Sequence, residues 1–261
     1  MKISLIGITG KMGHHLAELI ADAPDLTLIG GVTSSTNPQR GQKLYGVEIS
    51  DVLAPAFMNA DLLIDFSTPH TLTEHLEQAI YHKKPLVIGT TGLETSHFEA
   101  LQAAATTIPL LQASNTSMGI TILSNLVKIA ARQLDLDYDI EIVETHHRQK
   151  RDAPSGTALS LGKAAALGRT LNFDEVKVMD RQGKRQAGDI GFAVMRGGSV
   201  FGEHTVRFLG DDDIIELSHT SLNRQLFAKG AIQAARWLIN QKPGLYTMQD
   251  VFDRPLENRR L

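Results

Sequence analysis

The residue types able to do chemistry concentrate between Glu144 and Ala158, in Glu-Thr-His-His-Arg-Gln-Lys-Arg-Asp-Ala-Pro-Ser-Gly-Thr-Ala. The run before it, Tyr138 to Thr145, alternates Ile140 and Ile142 with Glu141, Val143 and Thr145, which is a strand pattern. Successive strand side chains point to opposite faces, so His146 and His147 at the strand end need separate roles. Arg148, Lys150 and Arg151 follow, and then Asp152-Ala153-Pro154-Ser155-Gly156-Thr157 leads into good helix formers from Ala158 to Leu167. That is a helix start, with Asp152 or Ser155 as N-cap, Pro154 in the loop or first turn, and Gly168 as the stop. Its free N–H groups and positive dipole end attract a carboxylate or phosphate. A lysine beside them adds a charge-assisted hydrogen bond of about 1.5–3 kcal/mol. A basic surface loop with an ordinary cap would share part of this pattern, but not two histidines, a lysine and a glycine approach together. The chemistry implied is reduction of a small anion. Lys150, His147 and the Ser155-Gly156-Thr157 amides and hydroxyls hold its carboxylates, while a protonated His146 balances a hydride.

A hydride needs a donor, and the start of the chain suggests one. Ile3 to Ile6 is a short apolar strand, followed by Gly7-Ile8-Thr9-Gly10-Lys11-Met12-Gly13 and a helix with Leu16, Leu19 and Ile20 on one face, closing at Pro24. A second strand covers Leu26 to Val32. This βαβ unit places the pyrophosphate of a dinucleotide on a helix N-terminus. The spacing G-x-x-G-x-x-G is not the commoner G-x-G-x-x-G, so the strand, turn and helix context carries the reading. The second strand ends in Thr33-Ser34-Ser35-Thr36 without the acidic residue that usually holds the ribose diol of NAD. Hydroxyls do not repel a 2′-phosphate and Arg40 is near, so NADPH should be accepted at least as well as NADH.

Strand and helix patterns keep alternating through Ala60–Phe66, Thr71–Tyr81, Pro85–Ile88, Glu99–Ala105 and Pro109–Ala113, which argues for a parallel, doubly wound sheet. Its strand ends supply the turns Asp65-Phe66-Ser67-Thr68, Gly89-Thr90-Thr91 and Ala113-Ser114-Asn115-Thr116-Ser117. A long amphipathic helix, Gly119 to Leu134, with Ile122, Leu126, Ile129 and Ala130 on one face, leads into a second domain. Strand-like segments at Val176–Met179, Ile190–Arg196, Val200–Phe208 and Ile214–His219 form its mixed or antiparallel sheet. A closing helix, Leu226 to Ile239, returns to the first domain. The expected class is α/β: a Rossmann-like dinucleotide-binding domain over 1–117, completed by 227–261, and an α+β substrate domain over 118–226. That domain's open sheet lacks a covering helix on its other face, which favours subunit association.

The string E-x-H-H-x-x-K-x-D-A-P-S-G-T-A, filled here at every fixed position from Glu144 to Ala158, closely resembles the signature of the dihydrodipicolinate reductase family. The likeness extends from residue 1 to the Gly-Leu-Tyr-x-Met-x-Asp-Val string at 244–251. It implies reduction of 4-hydroxy-tetrahydrodipicolinate with loss of water, in the diaminopimelate route to lysine, and a homotetramer formed through the second domain's sheet. It also implies His146 as proton donor or acceptor, Lys150 as second proton donor and carboxylate holder, and His147, Gly156 and Thr157 as substrate contacts. The glycine turn (Gly7, Ile8, Thr9, Gly10, Lys11, Met12) corresponds to the family's cofactor loop. The turns Gly89-Thr90-Thr91 and Ala113-Ser114-Asn115-Thr116 correspond to contacts with the nicotinamide half. There are departures: Thr33 and Ser34 stand where a Glu-Arg pair is frequent, Thr116 where an aromatic is, and Thr68 where an arginine sometimes is.

Composition excludes other classes. A net charge of −3 and pI near 6.4 argue against nucleic acid or a membrane surface as partner. The absence of cysteine excludes disulfides, thiolate metal sites and thioester mechanisms. The first apolar run ends at Gly7, too short for a signal peptide core or a membrane span, which points to the cytoplasm. Adjacent His146 and His147 have the wrong geometry to share a metal, so none is expected. No tyrosine has a lysine four residues on, against a short-chain dehydrogenase. A non-catalytic nucleotide sensor would need no proton donor beside a carboxylate clamp. His14, His15, His75 and His82 lie on helices and are expected to face solvent, while Glu203 and His204, within a strand, suit a structural bond as well as catalysis.

Overall fold

The computed structural model describes residues 1–252. In chain order the elements are β1 (Lys2–Ile6), α1 (Lys11–Asp22), β2 (Thr27–Val32), β3 (Lys43–Leu44), β4 (Val47–Ser50), α2 (Leu53–Asn59) and β5 (Leu62–Asp65). After them come α3 (Leu72–His82), β6 (Leu86–Ile88), α4 (Thr95–Ala105), β7 (Pro109–Gln112), α5 (Met118–Gln133), β8 (Asp139–His146) and α6 (Gly156–Gly168). The rest are α7 (Phe173–Val176), β9 (Lys177–Val178), β10 (Ile190–Arg196), β11 (Glu203–Leu209), β12 (Ile214–Thr220), α8 (Gln225–Leu238), β13 (Gly244–Tyr246) and α9 (Met248–Phe252). They form two compact units, Met1–Met118 with the chain from Arg224 onward, and Gly119–Asn223. Residues 253–261 of the expected closing segment lie outside the described residues.

The first unit is an eight-stranded sheet in the order β13-β7-β6-β5-β1-β2-β4-β3. Every pairing is parallel except β3 with β4. Central strands covered on both faces must be apolar throughout, and Leu62, Leu63, Ile64, Leu86, Val87 and Ile88 are all buried. The chain builds outward from β1 to β2 and β4, then returns to β5 on the other side of β1. That reversal opens a crevice at the carboxyl ends of β1 and β5, where ligands of such sheets bind. Helix α8 closes one face with Ala228, Ala231, Ile232, Ala235 and Leu238. It approaches so closely that a Cβ on Gly230 would lie 1.7 Å from the Thr116 carbonyl oxygen.

The second unit is a five-stranded mixed sheet, β12-β11-β8-β10-β9. Strands β9 and β10 run parallel to β8, while β11 is antiparallel to both β8 and β12. One face packs Ile140, Ile142, Ile190, Val206 and Phe208 against α5 and α6. Helix α5 corrects one expectation. The face it buries is Ile120, Leu123, Val127 and Ala131, while Ile122, Leu126 and Ile129 are exposed. Both stripes have helical spacing, so periodicity alone could not choose between them. Gly168 is the last residue of α6, as expected of the stop, although the left-handed conformation falls to Thr170, at φ 57°. Gly168 also serves close packing, since a Cβ there would meet the Lys128 carbonyl oxygen at 2.4 Å. The sheet's other face is half exposed and partly polar, with Arg207 on Glu216 at 2.6 Å.

Candidate active site

In the second unit the apolar face of β8 changes character at its carboxyl end. Side chains 140, 142, 144 and 146 all point inward, but the last two are Glu144 and His146, both buried. Strand register brings up the partners: Arg196 of β10 lies opposite His146, and His204 of β11 opposite Glu144. Glu144 Oε2 accepts from His146 Nδ1 at 2.5 Å and from Arg196 at 2.9 Å. Its Oε1 accepts from the other Arg196 nitrogen at 2.9 Å and from the Ser155 N–H at 3.0 Å. Burial alone would push the Glu144 carboxyl up, but Arg196, His146 and the Ser155 N–H outweigh it and hold it below the usual carboxylate range. With an ionised acceptor on Nδ1, that nitrogen carries the proton and Nε2 is the working atom of His146. Nε2 faces Gly202, where an added Cβ would stand 2.9 Å from it.

Burial lowers the His146 imidazole below its ordinary value. Glu144 opposes this, and Lys150 and Arg196 add to it. His204 sits 5.0 Å from His146, ring centroid to ring centroid and edge-on. Burial brings its pKa to about 4, so it is neutral at physiological pH. Its Nε2 lies 3.0 Å from Ser155 Oγ, which also accepts the Ala158 N–H at 3.2 Å as the N-cap of α6. Of the two cap candidates, Ser155 does the capping. Asp152 instead pairs with Lys150 at 2.9 Å, and its backbone carbonyl accepts from Arg196 at 2.6 Å. Glu144, His146 and His204 have ligand atoms within 4.8 Å of one another, a spacing that a metal ion could use. Here the Arg196 guanidinium already occupies both Glu144 oxygens.

His147 is half-buried just past the end of β8, its N–H donating to the Val200 carbonyl at 2.7 Å. Lys150 N–H donates to the His147 carbonyl at 3.1 Å, so the cation-bearing loop folds back on the strand end. Gly156 opens α6 with no atom within 4 Å of where its Cβ would be, leaving clear space above the helix start. Thr157 is the next helical residue. The structure thus gathers His146, Lys150 and Ser155 with Glu144, Arg196 and His204, and His147 follows directly at the strand end.

In the first unit a cleft of about 470 Å³ runs along Gly7, Thr9, Gly10, Thr33, Ser34, Asn37, Ser67, Thr68 and His75. Gly7 adopts φ 81°, and a Cβ there would meet the Phe66 carbonyl oxygen at 2.6 Å. A Cβ on Gly13 would meet the Gly7 carbonyl oxygen at 2.3 Å. Only glycine permits both the turn and the close helix. Thr9 and Thr33 hydroxyls lie 2.8 Å apart, and Asn37 Nδ2 donates to Thr9 Oγ1 at 3.1 Å. Ile8 is wholly buried, so only its backbone can serve the cleft; Lys11 and Met12 begin α1. Gly89, Thr90 and Thr91 follow β6, and Thr90 Oγ1 lies 3.4 Å from Asp65 Oδ1. Ala113, Ser114 and Asn115 follow β7, where Asn115 Oδ1 accepts the Ser117 N–H at 2.8 Å. Thr116 is turned away, donating to the Phe227 carbonyl at 2.7 Å. Arg40 is held by Asp51 at 2.8 Å.

Sequence reasoning assigned no role to Glu144, Arg196 or Asp51, placed Asp65 only within a strand-end turn, and misjudged His75. His75 is buried, with Nδ1 2.8 Å from Asp65 Oδ2, while Asp65 Oδ1 accepts the Ser67 N–H at 2.8 Å. It faces the core because β5 ends on a buried carboxylate that needs a partner. Glu144 alone had a readable signal, two residues before His146 on one strand face.

A glycine-turn cleft on a doubly wound sheet, together with a buried carboxylate–imidazole pair at a basic helix start, defines an NAD(P)H-dependent oxidoreductase. Family models described as dihydrodipicolinate reductase, N-terminus and C-terminus, match residues 1–116 and 119–252. The chain belongs to the dihydrodipicolinate reductase family. It is 46% identical over 254 residues to the 4-hydroxy-tetrahydrodipicolinate reductase of Zymomonas mobilis, covering 96% of each chain. With the enzyme of that name from Herminiimonas arsenicoxydans it shares 44% over 263 residues, covering 96% of this chain and 97% of the other. The fold matches that of a dipicolinate-bound dihydrodipicolinate reductase from Paenisporosarcina sp. TG-14, with TM-score 0.81, 22% identity and coverage of 97% and 99%. Among the described residues no helix is long and apolar enough to cross a membrane.

Proposed function

We propose that this chain reduces 4-hydroxy-tetrahydrodipicolinate to tetrahydrodipicolinate, using NADPH or NADH, in the diaminopimelate route to lysine. The overall change adds one hydride and one proton and releases one water. The observation that carries the reading is the Glu144–His146 pair, with Nε2 on the side of Gly202, beside Lys150 and the capped start of α6. His146 delivers the proton from Nε2, and Glu144 holds the ring and steadies the imidazolium. Lys150 holds a carboxylate and is the second proton donor. His147, Ser155, Gly156 and Thr157 hold the dicarboxylate through the loop and helix start.

The first unit's cleft suits a dinucleotide, because a tight turn that only glycine allows at Gly7 and Gly13 leads straight into α1, whose first N–H groups can receive a pyrophosphate. Gly7, Ile8, Thr9, Gly10, Lys11 and Met12 would hold the pyrophosphate, Thr33 and Ser34 the adenosine ribose, and Gly89 to Thr91 with Ala113 to Asn115 and the backbone of Thr116 the nicotinamide half. When bound, the reduced nicotinamide supplies the hydride. The second unit's sheet is half exposed on its outer face, including Met195 and Ile214, which supports tetramer formation there. The cysteine-free composition suits work in the cytoplasm. The test is NADPH oxidation by the purified protein with and without the cyclic substrate. Oxidation that depends on the substrate is expected, and its absence would overturn the reading.

A further inference from the structure

We infer that Asp51 and Arg40 divide the site between the two nicotinamide cofactors, Asp51 favouring a bare ribose diol and Arg40 a 2′-phosphate. The inference rests on reading the first unit as the cofactor site. Strand β2 ends without the acidic residue that usually receives the diol. Strand β4 lies parallel beside it with Ser50 opposite Val32, and the Thr33 N–H donates to the Ser50 carbonyl at 2.9 Å. One residue further along, Asp51 therefore emerges next to Thr33 at the same strand ends, and it lines the same cleft as Thr33, Ser34 and Asn37. An acid missing from β2 is thus supplied by its neighbour in register.

Arg40 reaches the same place from the loop between β2 and β3. Its guanidinium contacts Asp51 Oδ2 at 2.8 Å, with the two side chains 52% and 28% exposed. An ion pair this exposed is weakly held, so either partner can turn to a ligand. The Arg40 guanidinium keeps the Asp51 carboxyl below the usual range, so Asp51 is ionised at neutral pH. A 2′-phosphate brings a charge of about −1.5 to −2, which Asp51 repels and Arg40 attracts, while ribose hydroxyls donate to a carboxylate. In contact, the two charges offset each other and admit both cofactors. Removing one leaves the other to discriminate.

A merely structural ion pair would behave differently. The loop is already tied down by the Gly41 N–H to the Ile49 carbonyl and the Ile49 N–H to the Gln42 carbonyl, both at 2.8 Å. Losing a structural pair would therefore change affinity for the two cofactors alike. The experiment is fluorescence titration of the purified full chain with NADH and with NADPH, for the wild type, Asp51→Asn and Arg40→Leu. Asp51→Asn is expected to tighten NADPH at least about fivefold without tightening NADH, and Arg40→Leu to weaken NADPH at least about tenfold while NADH moves less than about twofold. Equal shifts for both cofactors in each variant would overturn the inference and leave the cofactor site standing. A wild type that binds neither cofactor would remove the cofactor reading and this inference with it.

Discussion

In the proposed role of His146 as general acid, Glu144 fixes its tautomer, and Glu144 can stay ionised in a buried place because Arg196 grips both of its oxygens. Glu144→Gln should leave that guanidinium without its charge partner, which for a buried pair costs about 3–5 kcal/mol of stability. Urea unfolding reads this loss. The same variant should lower turnover at least about tenfold, by releasing the ring; unchanged stability and turnover would refute the arrangement. His146→Gln should cut turnover by about 10²–10⁴ with cofactor affinity unmoved, measured by steady-state kinetics and NADPH titration. The pH dependence follows from burial lowering the His146 value. A general acid works only when protonated, so kcat/KM should be full at low pH and fall as pH rises through that value, below the ordinary ~6.5. A dianionic ligand offsets Lys150 and Arg196 and raises the value, so the kcat limb should lie at higher pH than the kcat/KM limb. Coincident limbs would contradict this linkage. Little of this shell could be read from the sequence. Ser155 announced itself as a cap by type and position, but Arg196 and His204 reach Glu144 only through cross-strand register, which no local pattern encodes.

At the scale of elements, the site is the end of one sheet face where apolar residues run out and a helix begins. Two glycines mark its limits in opposite ways. Gly202 lies against His146 Nε2, and a methyl group there would stand 2.9 Å from it at φ 156°. Gly156→Ala meets nothing within 4 Å, so the thermal midpoint should stay within a few degrees of wild type while the KM for the dicarboxylate rises. Gly202→Ala should instead depress kcat. The split between KM and kcat checks both placements, and a Gly156→Ala enzyme with wild-type kinetics would sink the helix-start assignment. Strand and helix alternation was legible through most of the first unit. β3 and β4, at two and four residues, are too short to show a period, so Asp51 could not be placed beside Thr33. Helix α5 failed differently, offering two apolar stripes of equal spacing.

For the whole molecule, the two sheets divide the labour. A parallel sheet wound on both faces offers a crevice where its strand order reverses. A mixed sheet covered on one face offers a reactive strand end inward and a half-exposed surface outward. The outer surface includes Met195 and Ile214, so sedimentation at micromolar concentration should show a tetramer, and a monomer would contradict the proposed assembly. The deciding measurement is a crystal structure of this chain with pyridine-2,6-dicarboxylate. The compound should lie against Lys150 and the Ser155 to Thr157 helix start, within reach of His146 Nε2. Finding it elsewhere, with residues 146–157 untouched, would contradict the account.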